Sequence, residues 1–450
     1  MVKEKKLWKI ILLGLQHVCV MYGGAVAVPL IIAPAIGLTE QQLIYLISFD
    51  LFTCGIATLI QVWGNKFVGI KLPALMAVSF IVVEPIIAIG KIHSITGVIG
   101  AVIVSGVVVT IVAQFIGKLI KFFPPVVTGS VVLIIGTSLM PVAMSNVAGG
   151  TGSANYGHIE NFMLAVFTLL CFLILNYVLK GFMKAISVLI AMVLGTLVAG
   201  MFGMVDFKAL SEAAWLTPLT PFYFGTPTFQ LSSILTMSII AILIMIESVG
   251  VFLALGEFCD REIKENDIKK GVRAEGISAI ISGVFNSFNH STFSQNVGLV
   301  FLTKVKQRVV LVAAGVILIL LGFLPKIAAL TTMIPKPVLG GAMIPMFGML
   351  IAASLQMIAK SDMKKSSNQL VVAVGVGLGL AVKGAPDAFK GYPELVQLLC
   401  SNGVVMGTLT MFLLNLFLNR TSKDDLNEQK HEQRTTDNLE IVKPVKSDGV

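Results

Sequence analysis

Long apolar runs decide what this chain can fold into. Ile95–Gly117, Val126–Met144, Phe162–Leu179, Leu231–Gly256, Val309–Leu324 and Val396–Leu418 are almost free of charge. A helix that crosses the hydrocarbon of a bilayer needs roughly 17–25 such residues. A soluble core has no room for so many, and charged residues make up only 13% of the chain, about half the share of a globular protein. In lipid each backbone polar group must be satisfied internally, which leaves helices or a closed barrel. Runs this long predict helices, and so an all-α polytopic membrane protein.

Fourteen membrane segments are predicted, at residues 8–32, 43–62, 68–85, 94–116, 124–144, 161–180, 185–204, 231–256, 272–287, 289–303, 308–325, 334–355, 367–383 and 393–418. An even number puts both termini on one side. The first run follows a basic start and continues through Gly24, Val28 and Pro29 without a small-residue cleavage site, so it reads as a retained span rather than a signal peptide. Lysine and arginine test the count independently, because they gather in cytoplasmic loops. With the N-terminus inside, 27 of the 33 fall inside and 6 outside. Without the tail the inside still holds 21 against 6. Both termini are expected in the cytoplasm of a multi-pass cell-membrane protein. Residues 420–450, polar and mixed in charge, read as a disordered cytoplasmic tail.

The formal charge of +9 belongs to these loops and does not mark a nucleic-acid surface. The five cysteines stand far apart, without metal-type or CxxC spacing, and read as packing residues. No metal or cofactor is expected. There is no P-loop pattern, no HExxH, no GxSxG and no arginine-rich span, so ATP-driven transport, hydrolysis and voltage sensing have no support, and no enzyme is expected.

Segment five begins Pro125-Val126-Val127-Thr128-Gly129 and runs on to Gly136; segment twelve begins Pro337-Val338-Leu339-Gly340-Gly341 and runs on to Gly348. Proline, valine and both glycines match at one offset of 212 residues. The two segments lie seven apart, and seven is odd, so two such halves have opposite orientation. This is the signature of an inverted-repeat transporter. Segments three and ten then correspond, and both are unusual. Segment three carries Pro73 and Glu84. Segment ten opens with Asn289, His290, Ser291, Thr292, Ser294, Gln295 and Asn296. Such segments are tolerated at membrane depth only inside protein or along a cavity, and a matched pair points to a midplane binding site. The offset carries Phe80 onto Thr292, so the two breaks are expected to face each other.

The intramembrane polar residues supply the candidates. Glu247 lies in the otherwise apolar Ile239–Leu255, where a carboxylate costs roughly 2.5–3.5 kcal/mol on insertion scales. It must be neutral, paired or facing a cavity, and no basic residue lies within its own segment. Glu275, read as opening segment nine near Lys270 and Arg273, fits either a boundary carboxylate or a proton-linked role. Gln295 starts the helical half of segment ten; its amide offers a donor beside an acceptor, the complement of an imide edge. Asn296 reads as a cap for the break. Gln16 and His17 in the first segment fit a supporting role or plain packing, and Phe80 fits stacking on a flat ring or packing. Asp50 shows no partner and receives no role.

At Gln295-Asn296-Val297-Gly298, followed by Thr303-Lys304 and Arg308, the chain resembles the nucleobase–ascorbate transporter family. The resemblance includes Gln16-His17, Glu247 and Ser79-Phe80 before Glu84-Pro85, and runs over all but the tail. It implies fourteen spans in two inverted halves, with short strands in segments three and ten. It also implies a core domain (residues 1–120 and 231–327) moving against a gate domain (residues 121–230 and 328–419). Glu247 and Gln295 would then hydrogen-bond a base, Phe80 would stack on it, and backbone N–H groups near Ser79 and Ser294 would complete the contacts. Glu275 resembles the family's span-nine acid. Glutamine at 295 resembles the xanthine and uric acid branch, whereas uracil-specific members carry glutamate there. The expected function is proton-coupled import of a purine base, by a homodimer joined through its gate domains. The rival readings are uracil uptake on the same fold and an anion transporter of the same seven-plus-seven architecture.

Overall fold

A computed structural model of the protein describes residues 2–385 and 387–419. The expected tail at residues 420–450 lies outside the described residues. The chain opens with α1 (Val2–Ala25) and α2 (Ala27–Ala35), then α3 (Glu40–Trp63). Thr39 and Gln42 start α3 with a capping box, each side chain accepting from the other's backbone N–H at 3.3 and 2.9 Å. An extended stretch leads to β1 (Met76–Val78), followed by α4 (Val83–Val112), α5 (Ile116–Leu119), α6 (Pro125–Val147), α7 (Ile159–Val178), α8 (Gly181–Ala185), α9 (Ser187–Met201) and α10 (Lys208–Glu212). The second half brings α11 (Leu231–Phe258), α12 (Glu265–Val284), β2 (His290–Thr292), α13 (Ser294–Thr303), α14 (Arg308–Gly322) and α15 (Pro325–Thr332). It ends with α16 (Lys336–Ile358), α17 (Ser366–Gly384), α18 (Glu394–Cys400) and α19 (Gly403–Leu418).

Among the described residues eight helices are long and apolar enough to cross a membrane, or ten if each sharply bent pair is one span. The bent pairs are α14 with α15 at 82° and α18 with α19 at 80°. Fourteen segments exceed this number for identifiable reasons. Helix α9 has only 15 residues. Helix α12 begins among charges, and segments three and ten are extended for part of their length. The boundary expected between segments three and four is a kink at Ser94 (φ 58°, ψ −176°) inside one helix, α4.

The extended parts are buried, so their backbone must find partners. The two strands supply some, pairing antiparallel with Met76 opposite Thr292, Ala77 opposite Ser291 and Val78 opposite His290. The ladder continues as Ser79 N–H donates to the Asn289 carbonyl at 3.2 Å and Phe293 N–H to Leu75 at 2.8 Å. Side chains supply the rest. Thr58 Oγ1 accepts from Met76 N–H at 3.0 Å, Gln61 Oε1 from Ile70 N–H at 3.0 Å and Ser248 Oγ from Thr292 N–H at 3.2 Å. The Arg261 guanidinium donates to the carbonyls of Ile70 and Lys71 at 3.1 and 3.2 Å. The two breaks expected to face each other do so, through this ladder.

Packing falls into two groups of helices. In one, α3 lies along α14 and α12 along α4, with α1 on α14 and α11 on α4. Glycines make both crossings close. A Cβ on Gly55 would meet the Gly315 carbonyl at 2.6 Å, and one on Gly106 would meet the Gly276 carbonyl at 2.6 Å. In the other, α6 lies along α16, with α7 on α9 and α17 on α19. The strands run through the first group and face the α6–α16 pair of the second.

Candidate functional site

The strand ends, α11, α6 and α16 line a small, partly open cavity of about 30 Å³. The first strand contributes Val78, Ser79, Phe80 and Ile81; the second strand and the start of α13 contribute Ser291 through Gln295. Glu247 enters from α11. Val132 and Ile135 of α6 and Leu350 of α16 form the opposite wall. Five sequence candidates, Ser79, Phe80, Glu247, Ser294 and Gln295, thus meet in one space although they come from distant parts of the chain.

Each polar group has a physical reason for its place. Glu247 is half-buried on α11, and its Oε2 has no hydrogen-bond partner. An unpaired carboxyl oxygen in apolar surroundings is costly. Gln295 is exposed to the open space at the first turn of α13, where the leading N–H groups have no intrahelical acceptor. Its Oε1 accepts from Ser294 Oγ at 3.1 Å. Phe80 projects its ring toward the opposite wall, edge-on to Phe347 with centroids 5.7 Å apart and planes at 85°. The Ser79 N–H is taken by the ladder and its hydroxyl accepts from Ile81 N–H at 3.3 Å. Ser79 therefore shapes the strand end rather than offering its own amide.

The supporting residues are buried behind this wall. His17 of α1 bonds through Nδ1 to Asn296 Oδ1, and Asn296 Nδ2 donates to the Pro73 carbonyl at 2.9 Å. One amide thus ties α1, the approach to β1 and α13 together. Glu275 does not sit at the mouth of its helix. Helix α12 starts at Glu265, and Glu275 is 3% exposed, accepting from Thr292 Oγ1 at 2.9 Å. Gln16 is half-buried and does not line the cavity.

Two further spaces adjoin the cavity. One of about 20 Å³ shares Ile81, Val132 and Glu247 with it; another of about 60 Å³ shares Phe293 and Gln295. Sequence reasoning did not find the apolar wall residues Val132, Ile135 and Leu350, which carry no polar signal. It also passed over Thr292, whose hydroxyl links β2 to Glu275.

Residues 8–387 match the sequence model of a permease family. A xanthine permease of Bacillus subtilis (strain 168) is 50% identical over 423 residues, covering 94% of this chain and 96% of the relative. A uric acid permease, PucJ, of the same organism is 45% identical over 434 residues, covering 95% and 97%. The fold is also that of the transmembrane domain of a cyanobacterial bicarbonate transporter, BicA, with a TM-score of 0.63 at 16% identity over 87% of this chain and 97% of that one. The chain therefore belongs to the permease family of nucleobase–ascorbate transporters, on the branch that holds the xanthine and uric acid permeases.

Proposed function

We propose that this protein imports a purine base, xanthine or uric acid, across the cell membrane together with protons. The observation that carries the reading is the meeting of Glu247, Gln295 and Phe80 around one cavity. A carboxyl and an amide offer paired donors and acceptors to the edge of a flat heterocycle, and a ring closes over its face. The names of the two relatives point to the same substrates. The bicarbonate transporter shares the fold alone. An anion site would not keep a partnerless carboxyl oxygen on its wall, so Glu247 disfavours that rival. Glutamine rather than glutamate at 295 disfavours uracil.

The fourteen-span inverted repeat gives this site its motion. At the offset of 212 residues Val78 falls on His290, the rung where a two-fold axis would cross the strands. The helix contacts come in mates seven spans apart. Helix α3 on α14 answers α12 on α4, and α1 on α14 answers α11 on α4. Residues 1–120 and 231–327 form the core, and residues 121–230 and 328–419 form the gate. Gate-to-gate contacts make the homodimer.

With both termini cytoplasmic, we read this conformation as facing inward. Ser294, Gln295 and Gly298 are exposed along α13 toward the inner side. On the outer side polar links join core to gate: Glu84 to Lys383, and Glu394 to both His93 and Ser232. Import breaks and remakes these links as the core slides. Uptake of labelled xanthine, uric acid and uracil by transport-deficient cells tests the substrate. Saturable purine uptake that unlabelled uracil does not displace is expected; preferential uracil uptake would overturn the purine assignment.

A further inference from the structure

We infer that Asp50 and His290 form a buried ion pair, carboxylate against imidazolium, that positions the cavity-facing strand β2. The inference goes beyond the choice of substrate and does not depend on it.

Asp50 lies in the middle of α3 and is 2% exposed; His290 opens β2 and is 1% exposed. The ring meets three oxygens. Nδ1 lies 2.8 Å from Ser282 Oγ, while Nε2 lies 3.3 Å from Thr53 Oγ1 and 3.8 Å from Asp50 Oδ1. A hydroxyl has one proton, so its other contacts must use its lone pairs. Ser282 Oγ donates to the Ser278 carbonyl at 2.7 Å. Thr53 Oγ1 donates within its own helix, to the carbonyls of Phe49 at 2.9 Å and Asp50 at 3.1 Å. With both hydroxyl protons on these carbonyls, the hydroxyl lone pairs face the ring and both ring nitrogens donate. A ring that donates from both nitrogens is an imidazolium. Asp50 Oδ1 also accepts from Ser287 Oγ at 2.7 Å. In a neutral imidazole one nitrogen lone pair would instead face oxygen lone pairs in a dry interior.

The pair acts through the strand. Side chains alternate along β2, so His290 and Thr292 share a face and Ser291 points the other way. At one end of the hidden face His290 is held by Asp50; at the other Thr292 is held by Glu275. Ser291 through Gln295 line the cavity, Thr292 with its hydroxyl turned back to Glu275. The other titratable groups nearby are Cys54, beside Asp50 on α3, and Glu275 of α12. Both are neutral or acidic in type, so the imidazolium has Asp50 as its nearest counter-charge. Two anchors behind a three-residue strand fix where the front of that strand presents its groups. Asp50 and His290 are positioning residues, since neither touches the cavity.

Removing one partner of a buried pair strands the other charge, whereas replacing both with neutral groups is tolerated. The test compares Asp50→Asn, His290→Gln and the double variant in the full chain. Each single change is expected to lower Vmax/KM for labelled xanthine at least tenfold and to lower the melting midpoint of the purified protein without substrate. The double variant is expected to recover both to near wild type. Losses that simply add, or single variants that behave as wild type, would overturn the pair. A second measurement decides if the double variant fails to reach the membrane, and it does not depend on uptake. Nitrogen-15 spectra of histidine-labelled wild-type protein, with His290 assigned by its missing signal in His290→Gln, are expected to show both ring nitrogens protonated. One unprotonated nitrogen on His290 would refute the inference.

Discussion

Asn296→Ala removes the single amide that ties three parts of the site together. Its orientation is fixed by geometry: Nδ2 donates to the Pro73 carbonyl at 2.9 Å, so Oδ1 faces His17 and the His17 Nδ1 carries the proton. Alanine orphans two buried groups at once, the His17 N–H and the Pro73 carbonyl. Each orphaned group costs about 1–3 kcal/mol, so the formed site loses about 2–6 kcal/mol relative to looser arrangements. At 1.4 kcal/mol per tenfold, even the lower figure is a loss of about 25-fold in the population of the formed site. Asn296→Asp keeps the acceptor for His17 but sets an oxygen against the Pro73 carbonyl, so it is expected to do no better. His17→Ala orphans only the amide oxygen and is expected to cost less than Asn296→Ala. The assay is the KM and Vmax of labelled purine uptake, normalised to protein in the membrane fraction. Uptake by Asn296→Ala within twofold of wild type would refute this reasoning.

Other perturbations bear on the cavity and its closure. Phe80→Ala is expected to weaken binding by about 1–3 kcal/mol, by analogy with bases stacked on aromatic side chains; equal binding constants for Phe80→Ala and wild type would make Phe80 a packing residue. Gln295→Glu is expected to weaken purine competition and admit uracil, and an unchanged competition profile across bases would count against contact by Gln295. Glu84→Lys is expected to slow uptake by placing like charges together, with the Glu84→Lys/Lys383→Glu swap restoring it; a swap as slow as the single variant would remove that pair from the closing machinery.

Much of this site was legible because polar residues in apolar sequence are costly enough to stand out. Glu247 and the run from Asn289 to Asn296 announced themselves in that way, and the structure brings Glu247 and Gln295 to one cavity. Pro73 and the polar run also marked the two breaks, which the structure resolves as paired strands. What failed had a spatial cause. The partners of Asp50 lie on Ser287 and His290, 237 and 240 residues along the chain, and no local pattern joins them. Glu275 was placed at the opening of segment nine, near Lys270 and Arg273, yet α12 begins earlier and carries it to the back of β2. The far wall of the cavity is apolar, and Val132, Ile135 and Leu350 look like any other membrane-helix residues.

The central claim is that a proton gradient drives a purine through this cavity by way of Glu247. The direct test is accumulation of labelled xanthine in sodium-free proteoliposomes holding purified protein, with an imposed inward pH gradient, for wild type and Glu247→Gln. Each pH unit of gradient is worth about 1.4 kcal/mol per proton, enough for about tenfold accumulation. Wild type is expected to concentrate xanthine only while the gradient lasts, and Glu247→Gln is expected to show none. Accumulation that requires sodium and ignores the pH gradient, or that survives in Glu247→Gln, would contradict the account.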